Sequence, residues 1–179
     1  MILAIDTSGS AVSAVVVDGE TIICSDFQLS TQQHSTMLLP MISRLDFGKY
    51  KLTGIAVTCG PGSFTGLRIG VATAMGLSYG LKLPLYYVPT LDALAYGTIG
   101  RVCAAIDARR GEYYTALYED GERVSDYLLK THDEATKEPQ LVCGHVDAIS
   151  VGFLAQKGKV HEGGLIYVRP PQAIRELCT

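Results

Sequence analysis

Two groups of residues in this sequence have types and spacings that could do chemistry. The first is the glycine-rich stretch CGPGSFTGLRIG, residues 59–70, between a strand-like and a helix-like run. Such a loop cradles a phosphate with backbone N–H groups, or its glycines let two backbones pack closely. It fails both common phosphate templates. A P-loop needs GxxxxGK followed by Ser or Thr, its lysine neutralising the outer phosphates, and no lysine occurs here. The dinucleotide fingerprint GxGxxG, read from Gly60, needs its third glycine where Thr65 stands. That leaves weak anion binding at a helix N-terminus, or packing. Gly66, Gly70, Ala72, Ala74, Gly76 and Gly80 populate a helix that propensity alone disfavours, which calls for a close tertiary or subunit contact. Arg68 is then a solvated cation, or the partner of an acid across an interface.

The second group is a pair of aspartates, Asp6 and Asp107, each ending a short apolar run. Carboxylates so placed hold Mg²⁺ between lobes in phosphoryl-transfer sites, or each simply closes the turn that follows it. Sequence alone leaves both readings open. Arg109 and Arg110, in DARRGE, bind an anion or pair with Glu112 and Glu119 in a hairpin. His34, His132, His145 and His161 show no HxxxH spacing, which argues against a metal site. Ser63 lies in GPGSFTG rather than GxSxG, so a serine nucleophile is unsupported.

These residues need elements to position them. MILAID, SAVSAVVVDGE and ETIICSDFQ read as a three-strand meander turning at Asp18-Gly19. About a hundred residues later the pattern returns. LAIDTSGSAVSAVVVDGE answers to AAIDARRGEYYTALYEDGE, which aligns Asp6 with Asp107 and Asp18-Gly19 with Asp120-Gly121. We read this as a duplication. Between the copies, STQQHSTMLLPMISRLD carries Met37, Leu38, Met41, Ile42 and Leu45 at helical spacing, with a cap expected at Ser30 or Thr31 and Pro40 as a cost. LTGIAVTC and LPLYYVP read as strands, and TLDALAYGT as a short helix capped by Thr90. After Leu129, LVCGH is a strand candidate and VDAISVGFLAQKG a helix candidate. The tail begins extended and ends helical. The order βββαβαβα followed by a second βββ near Arg101 predicts an α/β fold of two related lobes, residues 1–100 and a shorter 101–179.

Composition bounds the function. Of 179 residues, 47% are apolar and 18% charged, which fits a packed globular chain. A net charge of −3 argues against a broad basic surface gripping nucleic acid unaided. The N-terminus lacks signal-peptide features and no apolar run reaches bilayer length, so a cytoplasmic protein without membrane contact is expected. Five scattered cysteines without a CxxC pair are expected to be reduced thiols.

ILAIDTS, HSTMLLPMI, GPGSFTGLRIGVATAMGL, PTLDALA, AAIDARRGEYYTALY and IYVRPP occur in this order. Together they resemble the TsaB (YeaZ-like) family, accessory proteins of the machinery that makes threonylcarbamoyladenosine in tRNA. The resemblance runs from Met1 to about Tyr118 and resumes at Ile166–Pro171. It implies an actin/Hsp70/sugar-kinase-like fold of two ribonuclease-H-like lobes, here with the second shortened. It also implies loss of the catalytic equipment of the relative TsaD, whose metal-holding histidine pair has no counterpart in VPTLDALA, residues 88–95. Asp6, Thr7, Ser8 and Asp107 would border a vestigial nucleotide cleft.

The family resemblance further implies pairing with a TsaD-like paralogue, joined by a TsaE-like ATPase, and a homodimer when alone. tRNA is then met indirectly, through the complex. Both associations would use helices at about residues 33–46 and 63–80, with His34, Leu38, Met41, Ile42, Gly66, Arg68, Gly70 and Ala74 as interface candidates; for the aliphatic ones, burial within the chain is the competing reading. The expectation is a non-catalytic scaffold without a cofactor. The alternatives are an ATP-dependent phosphoryl-transfer enzyme of the sugar-kinase-like superfamily and, with less support, a peptidase.

Overall fold

The computed structural model describes residues 1–29 and 33–169. The cap expected at Ser30 or Thr31 and the helical end of the tail lie outside those residues. In chain order the elements are β1 (Ile2–Asp6), β2 (Ala11–Asp18), β3 (Thr21–Leu29), α1 (His34–Arg44), β4 (Gly54–Thr58), α2 (Phe64–Leu81), β5 (Leu85–Val88) and α3 (Thr90–Ala95). Then follow β6 (Arg101–Asp107), β7 (Glu112–Glu119), β8 (Glu122–Arg123), β9 (Leu128–Thr131), α4 (His132–Ala135), β10 (Leu141–Cys143) and α5 (Ala148–Gln156).

The first sheet runs β3-β2-β1-β4-β5, with β1–β3 antiparallel and β1, β4 and β5 mutually parallel. β1 and β4 are buried at every position because both faces of this sheet are covered, which is why they read as unbroken apolar runs. The second sheet repeats the plan. β6 and β7 form the antiparallel pair, β10 lies parallel to β6 as β4 does to β1, and β8 and β9 share the outer edge of β7. The duplicated hairpins thus occupy equivalent places, and the fold is the two-lobed actin/sugar-kinase-like one. The hairpin loops differ slightly. β7 and β8 close through Asp120-Gly121, both at positive φ, whereas β2 continues through Asp18 and turns at Gly19-Glu20, with a register shift at Val16/Val17.

One face of the first sheet (Leu3, Ile5, Val12, Val16, Ile55, Val57) packs on α1 and α2 through Leu38, Met41, Ile42, Val71 and Ala74. Its other face shares a single core with α3, α5 and the second sheet, where Ile2, Ala4, Val15 and Val17 meet Leu91, Val151, Ala104 and Tyr118. α5 follows β10 in sequence yet lies on β1, β2, β4 and β5. It comes so close that a Cβ on Gly152 would sit 2.7 Å from Val17. Asp147 caps it, accepting the Ile149 N–H at 3.0 Å, and Ser13 of β2 accepts the Ala148 N–H at 2.9 Å. Outside this shared core, the second sheet has the four-residue α4 against β7 and β9, where the first has helices of 11 and 18 residues. That is the shortening. α1 runs through Pro40 rather than stopping there. Among the described residues no helix is long and apolar enough to cross a membrane.

Candidate functional site: the inter-sheet cleft and the outer helices

The glycine loop leaves β4 at Cys59 and enters α2, capped by Ser63, whose hydroxyl accepts the Gly66 N–H. Its glycines are packed against their own chain. A Cβ on Gly62 would lie 2.6 Å from the Ser8 carbonyl oxygen. One on Gly66 would overlap the Thr7 carbonyl oxygen, and one on Gly70 the Thr7 hydroxyl. That hydroxyl donates to the Gly66 carbonyl at 2.8 Å, and the Ser63 N–H reaches the Ser8 carbonyl at 2.7 Å. Gly60, at φ +107°, lies under Ile166, whose carbonyl oxygen would be 2.6 Å from an added Cβ. Thr90 is not the cap of α3 that its position suggests. Its hydroxyl accepts the Gly60 N–H at 3.0 Å and holds the loop down.

The two aspartates have parted company. Asp6 is 1% exposed, and its Oδ1 accepts the Thr58 hydroxyl at 2.7 Å and the Ser8 N–H at 3.1 Å, tying the ends of β1 and β4. Its Oδ2 is buried without a hydrogen-bond partner among the described residues. Burial pushes its carboxyl above the ordinary value of 3.8, against the lowering effect of the Ser8 and Thr58 hydrogen bonds. Asp107 is exposed, and its Oδ1 accepts the Arg109 N–H at 2.7 Å. Both therefore close a turn two residues on, and only Asp107 lines the cleft. Thr7 is a packing residue, and Ser8 lines the cleft beside it.

The cleft has a volume of about 900 Å³ and lies between the β1–β2 turn and the start of α2 on one side and the β6–β7 turn on the other. Ser10 and His145 hydrogen-bond across one end at 3.1 Å. Residues 166–169 also line the cleft, at the end of a segment that runs from His161. His161 pairs with Tyr87, the Ile166 N–H reaches the Cys59 carbonyl at 2.7 Å, Tyr167 rests on Phe64 with ring centroids 5.5 Å apart, and Arg169 pairs with Glu112. The pairing of Arg109 and Arg110 with Glu112 and Glu119 does not form. Glu112 is taken by Arg169, Arg109 faces Asp107 at 3.8 Å, and Arg110 has no ion pair among the described residues. The buried thiol of Cys59 is pushed up to about 12 and that of Cys103 to about 11, so neither is poised as a nucleophile.

Most of the interface candidates turn inward. Leu38, Met41, Ile42 and Ala74 are core residues, Gly66 and Gly70 face Thr7, and His34 donates from Nε2 to the Gly9 carbonyl at 3.1 Å. Within the chain, the aliphatic ones pack in the core and the small ones allow the close approach of Thr7. Arg68 is exposed, with its guanidinium 3.8 Å above the Phe64 ring. The outward face of α2 consists of Ala72, Met75, Gly76, Tyr79 and Gly80, with open space around Gly76 and Gly80. Tyr79 is 89% exposed and Met75 53%, and Leu39 of the neighbouring α1 is 56% exposed.

Sequence reasoning also missed Asp92 on α3. It accepts the hydroxyls of Tyr118 at 2.6 Å and Tyr127 at 3.0 Å, with Arg123 at 3.6 Å, and so pins α3 to the second sheet. No local pattern announces a carboxylate whose partners lie 26 and 35 residues away.

Known proteins resemble this chain in sequence and in fold. The family model TsaD: tRNA N6-adenosine threonylcarbamoyltransferase matches residues 28–162. The tRNA threonylcarbamoyladenosine biosynthesis protein TsaB of Escherichia coli K12 is 39% identical over 181 residues, covering 92% of this chain and 77% of that one. The protein of the same description from Bacillus subtilis 168 is 36% identical over 125 residues, 66% of this chain and 55% of its own length. The solved structure of YeaZ from Pseudomonas aeruginosa matches with a TM-score of 0.77 at 26% identity, over 93% of this chain and 99% of that one.

Proposed function

Because this chain belongs to the TsaB (YeaZ) family of tRNA threonylcarbamoyladenosine biosynthesis proteins, we propose that it serves that modification as a non-catalytic scaffold. In this reading it pairs with a TsaD-like paralogue, which does the chemistry, and helps recruit a TsaE-like ATPase. Alone, it self-associates through the same surface. It works in the cytoplasm, and the tRNA meets it within the complex.

The observation that carries the reading is the unpartnered outer face of α2 beside α1. Ala72, Gly76 and Gly80 leave room for another helix to approach, and Met75, Tyr79 and Leu39 offer apolar anchors around them. Such a surface is stabilised by burial against a partner. The withdrawal of Asp6 from the cleft counts against a phosphoryl-transfer site built on Asp6 and Asp107.

The test is co-purification with the TsaD-like paralogue, followed by threonylcarbamoyladenosine yield in the reconstituted reaction. Gly76→Arg should abolish both while leaving the melting curve intact, since its Cβ enters open space. Gly70→Arg is the wrong probe, because it would drive a side chain into Thr7 and unfold the chain. Undiminished association of the folded Gly76→Arg variant would overturn the proposal.

A further inference from the structure

The cleft differs electrostatically from the rest of the molecule. The chain carries a net charge of −3, yet four arginines line the cleft and Asp107 is its one lining carboxylate among the described residues. Two of the arginines are already engaged, Arg109 with Asp107 and Arg169 with Glu112. Arg68 and Arg110 have no carboxylate partner among the described residues. Arg110 is held at φ 59°, between Arg109 at 65° and Gly111 at 73°. Left-handed backbone disfavours residues with a Cβ, so local conformational energy alone would select glycine or asparagine at position 110. An unpaired cation held in that conformation at the rim of a cavity needs a reason outside the fold.

Aromatic rings line the cleft wall beside aliphatic residues such as Ile106, Ile166 and Val168. Phe64 and Tyr167 form one ring pair and Tyr113 stands on the opposite side, all partly exposed to the cavity. α2 starts at this wall, adding the positive end of an 18-residue helix dipole. At about 900 Å³ the cavity is near the top of the range of about 300–1,000 Å³ typical of small-ligand pockets. Unpaired cations interleaved with rings in an open groove are the chemistry that holds single-stranded nucleic acid, phosphates on the guanidinium groups and bases on the rings.

We propose that the cleft binds a short unpaired segment of RNA, with Arg68, seated over Phe64, and Arg110 on its phosphates and Tyr113 and Tyr167 against its bases, without a metal ion. This goes beyond the scaffold role, in which RNA meets the chain only through the complex, and it rests on the cleft rather than on the outer helices. It also reconciles the acidic chain with a nucleic-acid contact, since the cationic charge is concentrated in one groove instead of spread over the surface.

The experiment is fluorescence anisotropy of a labelled short single-stranded RNA titrated with the purified full chain at low salt. Saturable binding is expected, weakening as salt rises and unchanged by EDTA. Arg68→Gln and Arg110→Gly should each weaken it about tenfold or more, while Lys51→Gln, which removes an equal charge from outside the cleft, should change it by less than about threefold. Arg110→Gly suits the existing backbone angle, so its melting temperature should not fall and lost binding cannot be blamed on unfolding. Absence of saturable binding would overturn the proposal, as would equal weakening by all three substitutions, or dependence on Mg²⁺. Displacement of the RNA by an equal concentration of adenosine monophosphate would reassign the cleft to a free nucleotide and overturn the strand assignment.

Discussion

At the scale of single residues, Thr7 organises the glycine loop. Its carbonyl and hydroxyl occupy the space that side chains at Gly66 and Gly70 would need, so α2 and the β1–β2 turn pack backbone against backbone. Gly66→Ala should therefore cost about 1–3 kcal/mol, the usual penalty of overpacking. Gly76→Ala, in open space on the same helix, should add about 0.5–1 kcal/mol through helix propensity. Urea midpoints of the two variants check the contrast, and equal effects would refute this account of the loop. Asp6 supplies a second test. Burial raises its pKa above 3.8, so the folded chain keeps a proton that the unfolded chain releases. Its contribution to stability is greatest below the ordinary carboxylate range and is lost as pH rises through the folded-state value. Asp6→Asn retains the acceptor for Thr58 and Ser8 and does not titrate. Its denaturation midpoint should decline less than that of the natural chain as pH rises from the carboxylate range toward neutrality.

At the scale of elements, α2 shows what local pattern can and cannot say. Its glycines and alanines announce a close approach, whereas the role of Ser63 as its cap is seen only in the structure. The direction of the approach is not readable, because small residues lie on both sides of the helix. Gly66, Gly70 and Ala74 go inward, and Ala72, Gly76 and Gly80 go outward. The short helix α3 is a different case, since six residues cannot hold a helix by propensity alone. Leu91, Ala93 and Ala95 bury it, and Asp92 binds Tyr118 and Tyr127. Asp92→Ala should leave the fully buried Tyr118 with an unsatisfied hydroxyl, at a cost of about 1–3 kcal/mol measured by urea unfolding. Tyr118→Phe together with Asp92→Ala should recover part of that loss in a double-mutant cycle.

At the scale of the whole molecule, the two sheets are joined by an exchange of helices. α5 comes late in the chain but completes the core of the first sheet, so the boundary expected near residue 100 divides the strands and not the packing. A fragment of residues 1–100 would expose the face carrying Ile2, Ala4, Val15 and Val17. We expect it to lack a cooperative thermal transition, while the full chain melts in one step by circular dichroism and tyrosine fluorescence. A cooperative transition in the fragment would show that the first lobe is complete without α5.

For Asp6 and Asp107 the sequence left turn closure and metal binding both open, but the main strands, the repeated hairpin and an apolar helix face were legible in it. Each of these depends on periodicity or turn chemistry within a few residues, where backbone geometry imposes the pattern. The family signature was equally legible, because its motifs are continuous stretches. Only the folded chain shows what the glycines touch, which aspartate is buried and which cleft arginines lack an ion pair among the described residues. Those outcomes turn on groups far apart in the chain, such as Thr7 and Gly66, separated by 59 residues, or Arg169 and Glu112, separated by 57. No local preference encodes such meetings. They follow from the order of strands in the sheets and from the crossing of α5, which set the distances at which hydrogen bonding, charge and packing then act.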